Sequence, residues 1–181
     1  MSLLKNGEIP FIKVYNLTFD NRLDFSIDPT FVSRDTHNHF LSRSKVLPGD
    51  VLMNIVGPPL GKVSIVPKLY PEWNINQAIA RFRCSEKILN SYLAYFLGSA
   101  ATVERIKKKT KATSGQFNLT LETCRNISIP IPTIDEQLKL VRDIELKLSV
   151  CYNIQQTVDA ALQRAAALRQ SILKQAFEGN L

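Results

Sequence analysis

One uninterrupted helical stretch near the C-terminus constrains this chain more than any other feature. Thr133-Ile134-Asp135-Glu136 has the form of a capping box, with Thr133 accepting from the Glu136 N–H and the Glu136 carboxylate reaching back. Pro130 and Pro132 stand just upstream, where a helix cannot yet be running. No Pro or Gly follows until Gly179, and Glu178-Gly179-Asn180 reads as a stop. Between these marks lie about 45 residues rich in Leu, Ala, Gln, Lys and Arg, all good helix formers. A helix of that length is roughly 65 Å long, more than a small domain can cover.

The apolar residues of this stretch recur at three- and four-residue steps: Val141, Ile144, Leu148, Cys151, Val158, Leu162, Ala165 and Ile172. Ile154, Ala161 and Leu168 fall one position earlier, so the stripe drifts and is wider than a strict coiled-coil seam. Gln155 and Arg169 interrupt it, as polar residues that set register and partner number do. A lone helix in water leaves such a stripe wet. The sequence therefore predicts a partner helix, with packing on the chain's own upstream part as the alternative.

Charge separates the two parts. Of 181 residues, 45% are hydrophobic and 22% charged, which suits one globular domain with an extension. From Thr133 onward, six acids (Asp135, Glu136, Asp143, Glu145, Asp159, Glu178) balance six bases (Lys139, Arg142, Lys147, Arg164, Arg169, Lys174). The whole net charge of +7 thus sits in residues 1–132. A basic head on a neutral stalk suits a polyanion at one end and protein at the other. Cys84, Cys124 and Cys151 are far apart and in no metal-ligand spacing, and they read as free thiols in a reducing compartment. No signal peptide opens the sequence, and the longest nearly apolar stretch, Tyr92 to Val103, is too short to span a bilayer. The expectation is a cytoplasmic protein with no membrane partner.

The head reads as short strands and small helices. Gly7 to Asn16 has the alternation of a strand. Asp20 to Asp35 is polar, and Arg34 to Lys45 is a polar, basic loop holding both histidines. Leu47-Pro48-Gly49-Asp50 is a turn before a strand over Val51 to Val56, and Gly57-Pro58-Pro59-Leu60-Gly61 is a rigid loop before a strand over Lys62 to Val66. Polar Trp73-Asn74-Ile75-Asn76 leads into a strand over Asn76 to Arg83. Helical periodicity covers Asn90 to Leu97 and Ala100 to Lys109, and Leu119 to Arg125 makes one or two turns. Ile127 to Ile131 reads as a short strand before the long helix. The fold class is α+β: a small mixed-strand domain with short helices, then one long C-terminal helix paired with another in a coiled-coil-like arrangement.

Catalytic signatures are missing from the sequence. It holds no phosphate loop ending in Lys-Ser/Thr, no zinc spacing, no nucleophile elbow and no dinucleotide-type glycine motif. Asn54 to Pro59 (NIVGPP) departs from the Asn-Pro-Pro loop of adenine methyltransferases, since its Asn is not adjacent to the prolines and no aromatic follows. His37 and His39 lack a third metal ligand beyond Asp35. No catalytic residue, metal site or bound cofactor is expected.

Polyanion binding has candidates. Lys107, Lys108, Lys109 and Lys111 form a dense run beside Ser114 and Gln116, suited to phosphates, and Lys62 adds a further cation. Arg34, His37, Asn38, His39, Arg43 and Ser44 are of the types that read base edges, Arg toward guanine and Asn toward adenine. Asn74, Asn76 and Gln77 add amides. Solvated polar loops and a solvated helix end are the plainer readings of the same residues.

With these elements in order, the sequence resembles half of a type I restriction–modification specificity (S) subunit. The resemblance is carried by GEIPFIKVYNL (7–17), LPGDVLMNIVG (47–57) followed by Gly61-Lys62, Asn76-Gln77, Tyr92 to Leu97, and Gln116-Phe117-Asn118-Leu119. The last pieces are IPIPTIDEQLKLV (129–141) and the helix tail SILKQAFEGNL (171–181). The resemblance implies a DNA target-recognition domain over 1–132 and a conserved spacer and dimerisation helix over 133–181. It implies double-stranded DNA, methyltransferase (M) subunits and endonuclease (R) subunits as partners, with S-adenosylmethionine, ATP and Mg on those subunits. One recognition domain and one helix imply a half-length form or a fragment, and a homodimer through the stripe would supply the second pair. The rival expectations are a protein-only adaptor and a stand-alone methyltransferase or nuclease component.

Overall fold

A computed structural model describes residues 3–108, 112–113 and 116–179, with only the backbone described at 112, 113 and 116. Along the chain come β1 (Ile9–Ile12), β2 (Phe31–Val32), α1 (Arg34–Asn38), β3 (Lys45–Val46), β4 (Val51–Asn54), β5 (Val56–Gly57), β6 (Val63–Ile65), β7 (Trp73–Ile75) and β8 (Ile79–Phe82). Then follow α2 (Asn90–Gly98), α3 (Ala100–Lys108), β9 (Ala112–Thr113), β10 (Gln116–Asn118), α4 (Leu121–Arg125) and α5 (Ile134–Phe177). Single 3₁₀ turns cover Val14–Asn16 and Ser42–Ser44.

β4 sets the layering, because all four of its residues are buried. Successive strand side chains point to opposite faces. Val51 and Met53 join one apolar cluster, with Val63 and Ala80 of the flanking strands, Leu93, Ala94 and Leu97 of α2, and Ile106 of α3. Leu52 joins a second cluster with Val66, Ile79, Ile12, Trp73 and Ile75. β4 is the central strand of an antiparallel sheet ordered β6-β4-β8. The second cluster lies between that sheet and a four-stranded one ordered β2-β1-β7-β3, whose central pair β1–β7 is parallel. The far face of the four-stranded sheet presents Ile9 and Phe11, which pack with Val32 and Leu41. A small third sheet has the order β5-β10-β9.

Asn54 organises the rigid loop after β4 from beneath. Fully buried, it donates from Nδ2 to the carbonyls of Val56 (3.1 Å) and Pro59 (2.8 Å) and accepts from the Lys62 N–H (3.0 Å). Gly61 ends the loop at φ +97°, and a Cβ there would lie 2.9 Å from Val103 Cγ2, so glycine is required twice over.

The long helix starts where the capping box puts it. The Glu136 N–H donates to Thr133 Oγ1 (3.3 Å), and Glu136 Oε2 accepts from the Thr133 N–H and hydroxyl (both 2.8 Å). One turn in, Gln137 is fully buried and all of its amide is used. It accepts from the Leu89 N–H (2.9 Å) and donates to the carbonyls of Lys87 and Pro132 (both 2.9 Å). The helix runs 44 residues and ends at Phe177, with Gly179 following at φ +75°. Two compact units divide the chain, Met1–Leu138 and Lys139–Leu181. The second consists mainly of the continuing α5.

The structure corrects several local expectations. The first strand is only Ile9–Ile12, because Asn16 closes a 3₁₀ turn by accepting from the Lys13 N–H (2.9 Å). The strand expected over Val51 to Val56 breaks at Ile55, whose N–H and C=O bond Ala78 and Leu119 instead of one continuous partner. Arg34 to Lys45 is not a loop throughout, since Ser33 Oγ accepts from the Thr36 N–H and caps α1. Trp73-Asn74-Ile75 is a buried strand, and β8 begins only at Ile79. Ile127 to Ile131 forms no strand; Ile127 and Ile129 pack on the first cluster while the segment stays outside the sheets.

Candidate nucleic-acid interface

The segment from α1 to β3 is held rigid from below by a buried amide. Asn74, at the middle of β7, points away from Trp73 and Ile75 and towards α1. Its Nδ2 donates to the Leu41 carbonyl (3.0 Å) and to Ser44 Oγ (3.3 Å), which turns its Oδ1 towards His37 Nδ1 at 2.5 Å. With Asn74 Oδ1 as acceptor, His37 Nδ1–H is the donor. His37 Nε2 then lies 3.5 Å from the Glu72 carboxylate. Ser44 Oγ in turn donates to the Leu41 carbonyl (3.0 Å), and the Leu41 side chain packs beside Ile9, Phe11 and Val32.

His37 and Asn74 are both completely buried, which corrects the expectation that they touch DNA. A side chain under the sheet surface cannot meet a base edge, and the Asn74 amide is spent on His37, Leu41 and Ser44. Ser44 is half-buried and similarly engaged. Above them, Arg34, Asn38, His39 and Arg43 are exposed. Arg34 Nε lies 3.5 Å from Glu8, and His39 Nε2 lies 3.5 Å from Asp35 one turn earlier. Lys45 Nζ donates to Asn38 Oδ1 (2.7 Å), and Arg81 of β8 donates to the Lys45 carbonyl. Lys45 closes the polar, basic stretch read from the sequence, whereas Arg81 was not among the candidates; its bond to Lys45 joins β8 to the start of β3, strands of two different sheets. Gln77 is exposed, whereas Asn76 Oδ1 accepts from the Ala78 N–H (3.2 Å) and shapes the turn into β8.

The lysine candidates lie on other elements. Lys107, in the last turn of α3, pairs with Glu104 (2.8 Å) and sits 5.8 Å from the centroid of the Phe117 ring in β10. That ammonium holds the Glu104 carboxyl below the ordinary glutamate range. Lys108 is exposed beside it. Lys62, at the exit of the Asn54 loop, lies 5.8 Å over the Phe19 ring. Lys109, Lys111 and Ser114 lie outside the described residues, as does the side chain of Gln116.

Among the described residues there is no group of three or more His, Cys, Asp and Glu placed to hold a metal, and no helix is long and apolar enough to cross a membrane. Burial pushes the thiol of Cys124 up, away from the thiolate form that a nucleophile needs.

The family model described as "Type I restriction modification DNA specificity domain" matches residues 2–146. The chain belongs to this family. The specificity domain is 32% identical over 139 residues to the specificity subunit of the type I restriction enzyme EcoBI from Escherichia coli, a match covering 77% of this chain and 29% of that subunit. To the EcoKI specificity subunit of Escherichia coli strain K12 it is 29% identical over 150 residues, covering 78% and 31%. The chain thus spans about a third of the length of these relatives. Two solved structures share the fold. One is the HsdS subunit from Thermoanaerobacter tengcongensis, with TM-score 0.66 and 16% identity, covering 82% of this chain and 37% of that one. The other, from work on complex assembly and conformational transition of the type I R-M system, has TM-score 0.65 and 20% identity, covering 99% and 41%.

Proposed function

We propose that this specificity domain recognises one half of a split DNA site for a type I restriction–modification system and catalyses no reaction itself. The observation that carries this reading is the exposed set Arg34, Asn38, His39 and Arg43 on a segment fixed from beneath by buried Asn74. Pre-held cationic and amide side chains read base edges at low ordering cost, and lysines such as Lys62, Lys107 and Lys108 contact phosphates without reading sequence. Residues 1–132 form the recognition domain in this reading, and residues 133–181 the spacer helix. The exposed stripe of α5 pairs with a second copy and docks methyltransferase subunits, which endonuclease subunits then join. S-adenosylmethionine, ATP and Mg belong to those subunits, and the assembly works in the cytoplasm.

The test is selection from a random duplex pool by the full chain at two salt concentrations. An enriched motif is the expected outcome. Lys108→Glu should weaken binding to all sequences alike and lower the salt slope by about 1 or more, leaving the motif unchanged. Salt-sensitive binding without any motif would refute sequence recognition. Cleavage or methylation by the chain alone would refute its non-catalytic role.

A further inference from the structure

Phe40 is 86% exposed at the turn between α1 and the following 3₁₀ turn. Its neighbour Leu41 enters the core beside Ile9 and Phe11, so the chain buries one apolar side chain here and holds the adjacent one out. The turn carrying it is ordered: the Leu41 N–H donates to the Thr36 carbonyl (2.9 Å), the His39 N–H to Asp35 (3.0 Å), and Asn74 holds the Leu41 carbonyl. Phe19 is also exposed, but Lys62 lies over its ring; among the described residues, Phe40 has neither a ring nor a cation against it. A phenyl ring left in water forgoes the free energy of its burial. Here a rigid turn projects that ring between His39 and Arg43.

We propose that Phe40 is a specificity-determining residue that packs against the 5-methyl group of a thymine in the half-site. This rests on the DNA-recognition reading and deepens it. In the major groove the thymine methyl is the apolar feature a base pair offers, and phenylalanine is among the side chains that contact it. The hydrogen-bonded turn fixes the backbone that carries the ring, which lowers the ordering cost of the contact.

The experiment first obtains a preferred duplex by selection with the full chain. Affinities of the unaltered chain and of Phe40→Ala are then measured for that duplex, for copies with each thymine replaced singly by uracil, and for unselected duplex. One replacement should weaken the unaltered chain about fourfold, the value of one buried methyl, and leave Phe40→Ala unaffected. Both proteins should bind unselected duplex equally, and Phe40→Leu should restore part of the methyl sensitivity. If no single thymine matters to the unaltered chain, or its replacement weakens Phe40→Ala equally, the assignment of Phe40 is wrong while recognition stands. Unstacking of a fluorescent base analogue by the ring would also overturn it, making Phe40 a wedge. If the unaltered chain prefers no duplex at all, the recognition reading falls and takes this assignment with it.

Discussion

Asn74 shows how one side chain can set a binding surface without reaching it. Three of its hydrogen-bonding contacts link β7 to α1, to Leu41 and to Ser44, and none faces solvent. Removing the amide strands the His37 Nδ1–H, a buried group costing about 1–3 kcal/mol when left unpaired, whereas the Leu41 carbonyl keeps the Ser44 hydroxyl and N–H. Asn74→Ala should therefore lower unfolding free energy by about 1–3 kcal/mol in urea titration. It should also lose sequence discrimination while keeping its affinity for unselected duplex. A variant of unchanged stability would show that the pinning network is dispensable. Residue types alone could not reveal this role, since a His and an Asn have the same chemistry above a sheet as beneath it. The alternation Trp73-Asn74-Ile75 was the available signal, with two apolar residues on one face and the amide on the other; read as a polar lead-in, it hid the strand.

At the scale of elements, the capping box, the α5 boundaries and the helices α2 and α3 were legible because their signals are local: Thr133 and Glu136, the proline pair, Gly98-Ser99 and Gly179. Short strands were less so, since Ile9–Ile12 and Val63–Ile65 owe their limits to partners distant in sequence. The capping box also makes a pH prediction. Hydrogen bonds from the Thr133 hydroxyl and N–H hold the Glu136 carboxyl below its ordinary value of 4.5. A carboxyl depressed in the folded state adds stability above its unfolded value and loses it as pH falls through the folded one. Glu136→Gln should therefore melt lower than the unaltered chain at pH 6, and the gap should close between about pH 5 and pH 3. Thermal melts followed by circular dichroism at 222 nm would check this. A gap that stays constant down to pH 3 would mean that the carboxylate charge contributes nothing to the cap.

For the whole molecule, the contrast lies between a head that buries three apolar clusters and a helix whose stripe is exposed over most of its length. Val141 is buried and Ile144 half-buried, whereas Leu148, Cys151, Val158, Leu162, Ala165 and Ile172 are all exposed. The length of the helix and the spacing of its stripe could be read from sequence, because both are periodic properties of one segment. What covers the stripe is not a periodic property of the segment, and no spacing within it names the occupant. Each leucine fully buried at a seam contributes about 1.5–3 kcal/mol, so several such positions on each of two copies suffice for a stable pair. In a two-fold antiparallel arrangement a residue on one copy is repeated on the other, and a charge placed there acts twice. Leu162 is 64% exposed and lies well along the stripe, so Leu162→Asp should leave the head folded yet weaken pairing about 100-fold or more. Sedimentation at tens of micromolar should then show a dimer for the unaltered chain and a monomer for the variant. A monomeric unaltered chain would rule out self-pairing. A dimer that survives Leu162→Asp would place the contact elsewhere on the chain.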